Sequence, residues 1–93
     1  MAWRVTWTTS ALEDLDEIAH YIARDSHFYA ASFVREIRDA TLSLKQYAER
    51  GHVVPEYHSP NIRELFVKRH RIIYHVSEKI VAILAIIHGA RKL

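Results

Sequence analysis

The stretch Ile80-Val81-Ala82-Ile83-Leu84-Ala85-Ile86-Ile87 constrains the fold more than any other part of the chain. Eight consecutive apolar residues leave no polar side for water, so the segment fits neither an amphipathic helix nor a strand with one wet face. It is far short of the ~20 residues that cross a bilayer. A central strand covered on both faces, or nearly so, is the expected outcome, and the rest of the domain must supply the cover. At 93 residues the chain is one domain, residues 1–93.

The cover is legible upstream. Trp3-Arg4-Val5-Thr6-Trp7 alternates apolar and polar residues, as a half-buried strand does. Ser10 followed by Glu13 reads as a capping box. Leu12, Leu15, Ile18, Ala19 and Ile22 then recur at helical spacing. Glu13, Asp14, Asp16 and Glu17 fall where the helix dipole favours negative charge. Asp25-Ser26-His27 interrupts the pattern, and a longer helix is expected from about Phe28 to Glu49, with Phe33, Ile37, Ala40, Leu44 and Tyr47 as its apolar stripe. Gly51 would take the left-handed cap. From Gly51 to Pro60, the prolines at 55 and 60 argue for a loop without regular structure.

Two more strands, Ile62–Val67 and His70–Val76, precede the apolar run, separated by turns at Lys68-Arg69 and Ser77-Glu78-Lys79. The expected order is β-α-α-β-β-β. A two-helix hairpin packed on a mostly antiparallel four-stranded sheet is an α+β domain.

Composition excludes several function classes. There is no cysteine, and Met1-Ala2-Trp3-Arg4-Val5 opens without an apolar leader, so a reducing cytoplasm and no membrane are expected. Cysteine nucleophiles are excluded. No serine sits in a Gly-x-Ser-x-Gly elbow, and the glycines, Gly51 and Gly89, are too few for a phosphate-cradling loop. Seven histidines invite a metal, but none has a ligand-like spacing; His70 and His75 point to opposite faces of a strand. We therefore expect no metal and no cofactor.

What remains is charge. Residues 1–50 carry six Lys/Arg against eight Asp/Glu, a net of −2, whereas residues 51–93 carry seven against three, a net of +4. A basic half-surface suits an acidic partner, nucleic acid or protein. Arg63, Arg71 and Arg91 arise from three strands or strand ends, with His75 and His88 close in pattern. Guanidiniums fixed on a rigid sheet can bind phosphate oxygens and stabilise the charge of a breaking phosphodiester, with a histidine as general acid or base. As a nuclease the candidates are Arg63, Arg71, His75 and Arg91. As a target- or phosphate-binding surface they are Lys68, Arg69, Arg71, His88 and Arg91. The plainer alternative is that the arginines pair with Glu56, Glu64 or helix acids and hold the fold together.

These residues also carry a family resemblance. Val54-Pro55-Glu56, Arg63-Glu64-Leu65, Arg71-Ile72-Ile73-Tyr74, Ile83-Leu84 and His88-Gly89-Ala90-Arg91, with Ala11, Asp14-Leu15, Ile18 and Tyr21-Ile22 before them, resemble the ParE branch of the RelE/ParE toxin superfamily. The resemblance spans nearly the whole chain. It implies the toxin of a type II toxin–antitoxin pair, held in a hetero-oligomer by a cognate antitoxin whose binding segment often folds on contact. ParE-like members act on DNA gyrase; RelE-like members cut mRNA on the ribosome with sheet lysines and arginines and a tyrosine in a C-terminal helix. Here Arg71 and Arg91 match, but His70 stands where a tyrosine is usual. Arg63-Glu64 replaces a lysine pair, and no helix with a tyrosine follows Arg91. The resemblance thus implies a gyrase inhibitor that catalyses no reaction. A ribosome-dependent mRNA endonuclease is the alternative, and a non-toxic module acting with its antitoxin in autorepression is the third reading.

Overall fold

The computed structural model describes residues 2–90. The chain forms β1 (Arg4–Trp7), α1 (Thr9–Ala23), α2 (His27–Leu42), a single 3-10 turn (Ser43–Lys45), β2 (His52–Val53), β3 (Ile62–Val67), β4 (His70–Ser77) and β5 (Ile80–His88). The five strands make one sheet in the order β1-β5-β4-β3-β2. β1 runs parallel to β5, and every other pairing is antiparallel. The α+β architecture and the helical hairpin agree with the sequence. The sheet has a fifth strand because His52 and Val53, which precede both prolines, pair with Glu64 and Arg63 on the sheet edge. No helix among the described residues is long and apolar enough to cross a membrane.

Local chemistry moves several boundaries. The cap of α1 is Thr8, whose Oγ1 accepts from the Ala11 N–H at 3.0 Å, rather than Ser10. The helix therefore starts as soon as β1 ends. Ser26 caps α2 by accepting from the Tyr29 N–H. That helix stops at Leu42 rather than Glu49. The Thr41 and Ser43 hydroxyls donate back to the carbonyls of Arg38 and Ala40 at 2.9 and 2.6 Å, a bonding mode that competes with helix propagation. Gly51 does not take a left-handed conformation. It is needed for close approach instead: a Cβ there would lie 2.5 Å from the Glu64 carbonyl oxygen and 2.5 Å from Tyr74 Oη.

Positive φ appears at the hairpin turns. Lys68 has φ 53° in the two-residue β3–β4 connection, and Glu78 and Lys79 have φ 45° and 67° in the β4–β5 connection. Two consecutive left-handed residues match the twist of the flanking strands, although neither is the glycine or asparagine that adopts this conformation cheaply.

Both helices lie on one face of the sheet. Phe33, Ile37 and Leu44 pack there against Leu65, Ile72, Tyr74, Val81 and Ile83. β5 is central as expected, paired with β1 and β4, with Val81, Ile83 and Ile86 buried and Ala82, Leu84, Ala85 and Ile87 half-buried. A β-bulge decides which side chains go inward. Tyr74 pairs with Ile83 and Ile73 with Ala85, so Leu84 is skipped and Ile83 and Ile86 both reach the core. The backbone groups around the bulge are met by α1 and its cap. Thr8 Oγ1 donates to the Leu84 carbonyl at 3.3 Å, and Asp14 Oδ2 accepts from the Ile86 N–H at 3.0 Å.

Candidate functional site

Strand parity separates the arginines. On β4, Ile72, Tyr74 and Val76 face the helices, which leaves Arg71, Ile73 and His75 on the opposite face. Arg63 pairs with Tyr74 in register and so lies on the helix side. Arg63 and Arg71 therefore do not share a face. Arg63 Nη1 donates to the carbonyls of Glu49 at 3.2 Å and Gly51 at 2.9 Å, while its buried Nε meets no acceptor among the described residues. Tyr74 Oη accepts from the Gly51 N–H at 3.0 Å, and burial pushes its phenol pKa up. Together these two side chains anchor the chain where it leaves the helices.

Arg71 is 5% exposed and engaged on two sides. Its Nε donates to Glu64 Oε1 on β3. Its Nη1 and Nη2 donate to Glu56 Oε2 and Oε1 at 3.0 and 2.9 Å, a fork-to-fork pair that draws the 54–60 loop onto the sheet. The Glu56 bonds, then Glu64, raise the guanidinium's pKa against the opposing effect of burial. Arg71, Glu56 and Glu64 together carry one positive and two negative formal charges. His75 shares the face but stands four residues further along β4, about 13 Å away, beyond hydrogen-bond reach.

The other candidates gather at the opposite side, around the β3–β4 turn. Lys68 pairs with Glu36 of α2 at 2.9 Å. The Arg69 carbonyl accepts from the Gly89 N–H at 2.6 Å, which ties the exit of β5 to the turn. His88 pairs in register with His70, their rings edge-to-face at 5.6 Å, and His70 in turn meets Phe33 at 5.0 Å. Burial, and then the neighbouring His88, push the His70 pKa down. Arg91 lies outside the described residues. Among the described residues, no three His, Asp or Glu side chains are placed to hold a metal ion.

Sequence reasoning missed Asp14 and Tyr74 as anchors. Asp14 reads as one of four interchangeable acids; nothing in the pattern marks the bulge it serves. The pairing of Arg71 with Glu56 and Glu64 was legible as an alternative: Glu64 and Arg71 stand in the predicted hairpin and Glu56 in the loop that leads into it.

Residues 5–93 match the family described as ParE toxin of type II toxin-antitoxin system, parDE. The chain belongs to the ParE toxin family. Toxin RelE2 of Caulobacter vibrioides is 36% identical over 89 residues, covering 95% of this chain and 97% of the relative. Among solved structures, a chromosomal ParDE toxin–antitoxin system from P. aeruginosa superposes with a TM-score of 0.76 at 28% identity, covering 94% and 96% of the two chains. The RelBE2 toxin–antitoxin complex of Mycobacterium tuberculosis shares the fold, with a TM-score of 0.61 at 20% identity over 95% and 99%. The ParE-family chain is thus the toxin of a type II toxin–antitoxin system.

Proposed function

We propose that this ParE-family toxin binds and inhibits DNA gyrase, catalyses no reaction itself, and is neutralised by a cognate antitoxin in a hetero-oligomer. The observation that carries the reading is Arg71, whose guanidinium is held between Glu56 and Glu64. A phosphodiester-cleaving site needs cations aimed at a developing negative charge. Here the best-placed cation is engaged by carboxylates, Arg63 faces the other side of the sheet, and His75 stands too far along β4 to act with Arg71. This arrangement supports a binding protein over a nuclease.

Gyrase supercoiling tests it directly. Purified toxin at stoichiometric excess is expected to block supercoiling of relaxed plasmid, and undisturbed supercoiling overturns the reading.

The second reading is a ribosome-dependent mRNA endonuclease, favoured by the relative that carries the RelE2 name. It predicts cleavage of message in a translating extract, with Arg63, Arg71, His75 and Arg91 as the residues to probe. Intact message in an extract that receives active toxin removes it. The autorepression reading, in which the domain is not toxic, is separated from both by expression without antitoxin, which would leave growth unchanged.

A further inference from the structure

A trough runs between the C-terminal half of α1 and the hairpin end of the sheet. It consists of two cavities, about 540 and 450 Å3, that share Ile22 and His70. Toward the β3–β4 turn it is lined by Tyr29, Phe33, Lys68 and Arg69. Toward α1 it is lined by Glu17, Ile18, Tyr21 and His88. Its floor is apolar, with Phe33 only 2% exposed, while Tyr29 and Tyr21 stand at its rims 61% and 69% exposed. Aromatic rings so open to water, next to an apolar floor, are the composition of a protein contact rather than of an inert surface.

The charges along the trough have a direction. Lys68 and Arg69 stand at one end, Glu17 at the other, and half-buried His70 between them, where burial favours its neutral form. We propose that this trough seats a segment of the antitoxin that carries an acidic residue at the Lys68–Arg69 end, apolar side chains over Ile22, and a basic residue at the Glu17 end. The inference rests on the antitoxin being the partner, and it names where and by what chemistry that partner docks. A nucleic-acid strand fits less well. It repeats its negative charge at every nucleotide, so it would meet Glu17 at one end and Glu36, already paired with Lys68, at the other.

The opposed ends give a test that reads polarity. Affinity for the purified antitoxin is measured for the unaltered toxin and for Arg69→Glu, Glu17→Lys and Tyr29→Ala. All three change exposed side chains, and circular dichroism checks that each variant is folded. Each is expected to weaken antitoxin binding ten-fold or more. Arg69→Glu should be partly rescued by an antitoxin in which the facing acid is replaced by lysine.

Equal affinity across the variants overturns the proposal while leaving the antitoxin as partner. An unaltered toxin that does not bind the antitoxin overturns the proposal and the partner reading together. A fluorescein-labelled 20-nucleotide single strand provides the competing occupant. If it binds, and Glu17→Lys strengthens its binding while leaving the antitoxin unaffected, the trough is a polyanion site and the proposal fails.

Discussion

Asp14 Oδ2 on α1 accepts the backbone N–H of Ile86 on β5 at 3.0 Å, across 72 positions of sequence. The bond places a helix carboxylate on the backbone of the central strand, just past the residue that the bulge leaves out of the ladder. Asp14→Ala would take the acceptor away from that part-buried N–H, at a cost of about 1–3 kcal/mol. Asp14→Asn keeps an acceptor oxygen and should cost less. Thermal denaturation should rank wild type above Asn above Ala. Amide exchange at Ile86 should speed up in the Ala variant before the rest of the sheet is affected.

Arg71→Ala removes the guanidinium that Glu56 and Glu64 share. The expected loss is about 3–5 kcal/mol, enough to unfold much of a small domain. Replacing the three together by Arg71→Met, Glu56→Leu and Glu64→Leu removes the charges as a set and should recover most of that stability. Denaturant melts of the two variants check this. The outcome bears on function, because loss of toxicity in Arg71→Ala would then report a missing fold rather than a missing catalyst.

Acid should loosen the hairpin end. The His70 pKa lies below the ordinary histidine value of about 6.5. Between those two values the unfolded chain binds the proton more tightly than the folded one, so stability falls as pH drops below about 6.5 and levels off once folded His70 is also protonated. The ring meets those of Phe33 and His88, and the charged and titratable groups lining the cavities around it include Asp14, Glu17 and Tyr21 on α1, Tyr29 on α2, and Lys68 and Arg69 at the turn. Chemical denaturation from pH 8 to pH 5.5 should show a shallower decline for His70→Phe, which keeps the ring contact with Phe33 and removes the titrating nitrogens. Parallel curves would contradict it.

The β4–β5 turn stores conformational strain in Glu78 and Lys79. Glu78→Asn with Lys79→Gly supplies the pair that adopts two left-handed conformations most readily. A gain of about 1 kcal/mol is expected, a rise of roughly 4–8 °C in melting temperature for a domain of this size. A melting temperature that stays the same or falls would mean that the Lys79 side chain stabilises the turn by more than its backbone strain costs.

Periodicity revealed most of the architecture because it records burial. The alternation Trp3–Val5–Trp7, the stripes on both helices and the apolar run at Ile80–Ile87 each reflect a surface turned toward one core. Three features were invisible to it, each for a physical reason. The bulge at Leu84 is a change of register, and an all-apolar strand reads the same before and after such a slip. β2 is two residues long, below any period. Gly51 is required by a carbonyl and a phenol that come from distant strands, not by its own conformation. The candidate cations were found as a set, but parity within one strand cannot place residues of neighbouring strands on a common face until the register is known. That is why convergence of Arg63 and Arg71 stays open at the level of sequence, and only the register puts the two on opposite faces.

The parallel pairing of β1 with β5 joins the first strand of the sheet to the last, and the last one made occupies a place between two others. Synthesis therefore delivers the two sides of the sheet before the piece that unites them. While β5 is still inside the ribosomal tunnel, β1 has no neighbour and β4 lacks one of its two partners. The sheet is complete only when β5 takes its place between β1 and β4. Any surface that draws on both edges of β5 therefore exists only once that strand is in place.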